Sequence, residues 1–262
     1  MICGLLPPDG GRIAVHGTPI RVGSTKGRRH IGYVPQELAI YPDMSARDNL
    51  RFFARLYGIR GAEAKRRIDA VLDVVGLTER ADDKASEYSG GMQRRLNIAA
   101  GMLHEPSLLI LDEPTVGIAP QSRNAILESV ATLGAEGMSV QYTTHYMEEA
   151  ERLCRRVAIM DHGVVLATGT RRELVAIVGE HDTVAITIVG NAAAVAASLA
   201  GAPKASNSAE NRGDILVDAA SARLPDLLQR VAAADVTIQE VEVREPSLDT
   251  VFLHITGTAL RD

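Results

Sequence analysis

Asp112 and Glu113 stand directly after the apolar run Leu108-Leu109-Ile110-Leu111. A short, wholly apolar run of this kind reads as a buried strand of a parallel sheet. Its C-terminal edge, where ligands bind in open α/β sheets, then carries two adjacent carboxylates. A carboxylate in such a place is costly unless it meets a cation or a hydrogen-bond donor. Magnesium on a bound nucleotide would supply the cation, with Asp112 holding it through water and Glu113 polarising an attacking water. Taken alone, the same residues also suit a strand that ends in a solvated acidic turn.

Three further stretches offer complementary chemistry. Ser89-Gly90-Gly91-Met92 opens a helix with small residues, which leave backbone N–H groups open to an anion. Ser89 adds a hydroxyl donor, and the helix dipole favours negative charge there. A plain N-cap with a flexible entry has the same pattern. His145 follows the strand end Thr143-Thr144, from which an imidazole can donate to a terminal phosphate. Gln36, in Tyr33-Val34-Pro35-Gln36, has an amide able to touch both magnesium and the water. Each of these two, taken singly, is an ordinary polar loop residue.

The elements that would position these groups alternate between strands and helices. Residues 12–15 and 30–34 read as short strands around a Gly-rich, basic loop. Met1–Leu6 reads as the last turn of a helix with Gly4 as its stop. Ser45 caps a helix to about Tyr57, with Asp48 near its first turn. A second helix spans about 62–75 and stops at Gly76, with Ile68, Val71, Leu72 and Val75 at helical spacing. A third runs from Gly90 to about His104. A helix over 120–135, a strand over 138–144 and a short helix over 146–153 follow. Strands near 156–160 and 163–167 flank Asp161-His162-Gly163 as a hairpin. This alternation predicts an α/β fold with a largely parallel sheet. From about 180 the character changes to a small α+β appendage. It comprises strands at 183–189, 215–217 and 236–243, helices at 191–200, 221–234 and 247–255, and a polar, turn-rich stretch at 203–213.

The order Gln36, Ser89-Gly90-Gly91, Asp112-Glu113, His145 resembles the ATP-binding cassette of ABC transporters. The four match its glutamine loop, signature motif, Walker B motif and switch histidine. The resemblance covers residues 1 to about 175 and is closest in Gly32–Gln36, Asp112–Thr115 and Thr144–Ala150. It implies an ABC ATPase core over 1–175 with a helical subdomain at about 45–105, and an appendage over 180–262. Tyr88-Ser89-Gly90-Gly91-Met92 and the tail Arg244–Leu253 are similar to the branch that serves ABC-2 type exporters of drugs, lipids or polysaccharides. The resemblance further implies ATP and Mg2+ as ligands, with Asp112 and Gln36 at the metal and Glu113 and His145 in catalysis. Gln36, Ser89, Gly90, Gly91 and Met92 fall at the nucleotide. The implied partners are an integral membrane permease, docking near 37–45, and a second ATP-binding subunit. The implied location is peripheral, on the inner face of the cell membrane.

Two features depart from that family. No Gly-x-x-x-x-Gly-Lys-Ser/Thr loop occurs in the sequence, and Gly23-Ser24-Thr25-Lys26-Gly27 has the residue types without the spacing. The expectation is a core lacking its first strands and phosphate loop, truncated before Met1. A subunit that hydrolyses nothing and lends only its signature turn to a sister's ATP is the alternative. Ala119 also replaces the aspartate usual in the family's Gly-Leu-Asp-Pro stretch. Composition agrees with an ordinary globular chain, at 46% hydrophobic and 23% charged residues. The net charge of -5 argues against a nucleic-acid partner. Cys3 and Cys154, the two cysteines, form no disulfide framework or paired-ligand motif.

Overall fold

The computed structural model describes residues 1–178, 181–189, 205–209, 212–218, 220–233, 237–244 and 247–256. The expected helix at 191–200 and residues 245–246 of the tail motif lie outside the described residues. The chain divides into two compact units, Met1–Cys154 and Arg155–Asp262.

The first unit is built on a parallel sheet of β3 (Ile31–Val34), β4 (Leu108–Asp112) and β5 (Ser139–Thr143), in that order. β4 is central. Ile31 pairs with Leu108, and Asp112 pairs with Thr143, so all three strands end at one edge. Its middle residues Leu109, Ile110 and Leu111 are buried, as the unbroken apolar run predicts. Before the sheet, β1 (Ala14–Val15) and β2 (Thr18–Pro19) form a small antiparallel ribbon. α1 (Thr25–Arg28) is a single turn in the loop that the sequence marks as Gly-rich and basic. Met1–Leu6 contains a turn in which Gly4 has a left-handed φ of 67°. The turn is closed by the Gly4 N–H donating to the Met1 carbonyl at 2.9 Å.

α2 (Ala46–Leu56), α3 (Gly61–Val74) and α4 (Gly90–Met102) form the helical part of this unit. Ser45 caps α2 as expected, its hydroxyl accepting from the Asp48 N–H. Leu50, Ile68, Leu72, Leu96 and Ile98 bury their side chains in one core with Leu109 and Leu111 of the sheet. α4 lies close against β3. A Cβ on Gly32 would sit 2.3 Å from the Gly101 carbonyl oxygen, so only glycine permits that approach. α5 (Pro120–Ala135) begins with its proline in the first turn, where no intrahelical N–H is needed. α6 (Met147–Leu153) follows the loop that holds His145.

In the second unit β6 (Val157–Asp161) and β7 (Val164–Gly169) form the expected antiparallel hairpin. His162 and Gly163 at its tip have φ of 46° and 77°, the left-handed pair of a tight hairpin turn. α7 (Arg171–Val178) follows, an unexpected helix. The antiparallel sheet runs β11 (Thr237–Arg244), β8 (His181–Val189), β10 (Arg212–Asp218), β9 (Ala205–Ala209). β9 corrects the expectation of a turn-rich stretch at 203–213. Pairing with β10 makes an edge strand of a segment whose composition disfavours one. α8 (Ala220–Ala232) and α9 (Leu248–Thr256) complete the unit.

Candidate nucleotide site

The carboxyl edge of the parallel sheet collects the chemistry. Asp112 ends β4 with both carboxylate oxygens engaged. Thr143 at the end of β5 donates from Oγ1 to Oδ1 at 2.7 Å, and the Tyr33 hydroxyl donates to Oδ2 at 3.2 Å. Burial, and next the Asp112 charge, push the Tyr33 phenol above its ordinary range, so it stays a donor. A carboxylate held from two sides is fixed in direction.

Glu113, one residue on, has φ of 43°, a left-handed conformation that long side chains rarely adopt. Its N–H is tied to the Thr143 carbonyl at 3.1 Å and faces the Thr143 hydroxyl at 3.2 Å. These ties hold the strained backbone and send the side chain away from the strand direction. The side chain reaches His145, whose Nδ1 lies 3.4 Å from Oε1. Both groups remain partly open, at 31% and 27% exposure, so a ligand can meet them from solvent. Strain of this kind gathers at functional sites.

Gln36 follows β3 at the same edge with an exposed side chain. Its backbone is gripped from α4. The guanidinium of Arg94, only 5% exposed, donates to the Pro35 carbonyl at 3.0 Å and the Gln36 carbonyl at 2.6 Å. The Asn97 amide oxygen accepts from the Ala39 N–H at 3.2 Å. The signature turn stands apart. Among the described residues no hydrogen bond joins Ser89–Met92 to Gln36, Asp112, Glu113 or His145. Ser89 caps α4 by accepting from the Met92 N–H at 3.3 Å. Ser89 and Gly90 face solvent, Gly91 is buried, and Met92 packs against the core. A Cβ on Gly91 would lie 2.3 Å from the Ser122 Cβ, so that glycine is required where α4 meets α5. Ala119 occupies the N-cap of α5 and supplies no side-chain hydrogen bond.

The sequence reading missed Tyr33, Arg94, Thr143 and Glu149. Glu149 is 2% exposed and accepts hydrogen bonds from Thr115, Tyr142 and Thr144. Its position in Met147-Glu148-Glu149-Ala150, on a helix face between apolar residues, is the signal that would have revealed it. Burial, more than the adjoining Glu149, raises the Tyr142 hydroxyl well above the ordinary phenol range.

The donor set suits magnesium on a nucleotide. Asp112 and Gln36 offer hard oxygen ligands at one edge, and magnesium commonly takes one or two carboxylates, the rest coming from phosphate and water. No group of three or more His, Cys, Asp or Glu able to hold a metal occurs among the described residues, so the phosphates would have to complete the coordination. No described helix is long and apolar enough to cross a membrane.

Residues 1–116 match the family model for ABC transporters. Over its whole length the chain is 43% identical to the linearmycin resistance ATP-binding protein LnrL of Bacillus subtilis, covering 86% of that protein. It is 40% identical to the Nod factor export ATP-binding protein I of Burkholderia thailandensis over 67% of this chain, which spans 58% of that relative. Among solved structures, an ATP-binding subunit of an ABC transporter superposes with a TM-score of 0.59 and 32% identity, over 68% of this chain and 74% of that one. The chain therefore belongs to the family of ABC transporter ATP-binding proteins.

Proposed function

We propose that this chain is the ATP-binding and ATP-hydrolysing subunit of an ABC-2 type exporter, of the class that moves drugs, lipids or polysaccharides. The observation that carries the reading is the convergence of Asp112, Glu113, Thr143 and His145 where β4 and β5 end. The resistance and export functions in the names of its relatives support the exporter class. Magnesium, when bound with ATP, would neutralise charge on the phosphates. Asp112 and the Gln36 amide would hold it. Glu113 would orient and deprotonate the attacking water, and His145 would donate to the γ-phosphate. Ser89 and the N–H groups of Gly90 and Gly91 would meet the γ-phosphate bound by a second ATP-binding subunit. Residues 37–45 would dock on an integral membrane permease, placing the subunit at the inner face of the membrane.

The β- and γ-phosphates also need a cradle of backbone N–H groups and a lysine. A strand that brought such a cradle would fit the outer edge of β5, which has no partner strand among the described residues. Ala119 favours a second reading, in which the chain lends only its signature turn to a sister subunit's ATP. Co-purification with the permease, followed by Mg2+-dependent nucleotide binding, separates the two. The hydrolytic reading predicts that Asp112→Asn loses the magnesium dependence. Binding unaffected by that substitution favours the second.

A further inference from the structure

Three hydroxyls, one from the loop after β4 and two from the end of β5, converge on one buried carboxylate. The Glu149 Oε1 accepts from Thr115 at 2.7 Å, and Oε2 accepts from Tyr142 at 2.8 Å and Thr144 at 2.9 Å. Thr115 lies two residues beyond Glu113, and Thr144 immediately precedes His145. Tyr142 lies on β5 and Glu149 itself on α6. Arg123 of α5 brings its Nε within 3.7 Å of Oε1 and sets its guanidinium 4.3 Å from the centre of the Tyr146 ring, which in turn packs on the His145 ring at 4.2 Å. Thr144 is held twice, since its hydroxyl also accepts from the Tyr146 N–H at 3.0 Å.

We propose that Glu149 is a positioning residue that fixes the separation of Glu113 and His145 by clamping both of their loops. This rests on the catalytic reading of those two residues and names what sets their geometry. A carboxylate suits the task because it only accepts, and its lone pairs serve all three hydroxyls at once. Burying it is costly, and three hydrogen bonds and a nearby guanidinium offset that cost. The clamp acts on loops, which hold themselves less well than strands, and a misplacement of about 1 Å at a reacting group can cost about 100-fold in rate. In glutamine the oxygen can keep the bonds from Tyr142 and Thr144, while the amide N–H donates to Thr115.

The test is the His145 ring signal in 1H–15N spectra of the full chain, assigned with His145→Ala. In the parent, Glu113→Gln shifts that signal, because the two groups are 3.4 Å apart. With Glu149→Ala present the shift is lost, and with Glu149→Gln it is retained. Should Glu149→Ala fail to fold, Thr144→Val with Thr115→Val releases both loops and must give the same loss. A shift of equal size with and without Glu149 overturns the proposal and leaves that carboxylate as packing alone. In the assembled transporter, Glu149→Ala should lower kcat about 100-fold with the KM for ATP retained. If Glu113→Gln leaves turnover intact while the ring coupling still depends on Glu149, the positioning stands and the catalytic reading fails.

Discussion

Glu113 combines a catalytic assignment with a left-handed backbone, and the two can be separated by substitution. A left-handed conformation costs an ordinary L-residue about 1–2 kcal/mol. Glycine removes that cost, but it frees the unfolded chain and so gives back about 0.4–1 kcal/mol. The partly exposed contact with His145 is worth at most about 1 kcal/mol. Glu113→Gly should therefore stay within about 1 kcal/mol of the parent in stability. Valine, branched at Cβ, fits φ of 43° worst, and Glu113→Val should lose about 2 kcal/mol. At an ordinary strand end the order reverses, glycine being the weaker by about 0.5–1 kcal/mol. Urea unfolding followed by circular dichroism reads the difference. At an m-value of about 2 kcal/mol/M, the midpoints of the two variants should differ by about 1 M. Neither variant should hydrolyse ATP in the assembled transporter. A valine variant as stable as the glycine variant would refute the claim that strain is kept here for the position of the side chain.

Three other predictions concern the groups around the site. Arg94→Met removes two charge-assisted hydrogen bonds and regains part of the guanidinium's desolvation, so stability should fall by about 2–4 kcal/mol. A urea midpoint unchanged by Arg94→Met would contradict the strut from α4 to the glutamine loop. Tyr142 has its folded pKa raised by burial, so its contribution is complete below the ordinary phenol value of about 10 and is lost as pH rises beyond it. Alkaline unfolding should lose that part of its pH dependence in Tyr142→Phe. His104 has its pKa lowered by burial, stacks on Tyr57 at 4.0 Å between ring centres and bonds the Ile31 carbonyl at 3.0 Å. Its contribution should be present above about pH 6.5 and fade as pH falls, with His104→Gln flattening that slope in a stability–pH series.

Legibility in the sequence followed the strength of local signals. β4 was plain because a short run of four apolar residues followed by carboxylates suits a buried parallel strand. α5 was expected over 120–135 and spans Pro120–Ala135, with Pro120 in its first turn and Gly137 just beyond its end. The carboxyl-edge residues were found because their types and order are unusual together. α7 was missed although Thr170 and Glu173 form a reciprocal cap, with the Thr170 N–H donating to Glu173 at 2.8 Å and the Glu173 N–H donating to the Thr170 hydroxyl at 3.2 Å. Two arginines between them hid the apolar pattern that normally announces a helix. Glu149 and Arg94 were missed for a different reason. Sequence places charged residues at the surface by default, and only long-range packing shows that these two are buried to hold other loops. Gly91 reads as a phosphate-facing residue in sequence, whereas its need for glycine is visible only in the approach of Ser122 from α5.

The most direct test of the central claim is the ATP turnover of the assembled transporter carrying Glu113→Gln. Turnover should fall by about 100-fold or more while Mg2+-dependent ATP binding is retained, as loss of a general base requires. Undiminished hydrolysis in that variant would contradict the assignment of the β4–β5 edge as the catalytic site.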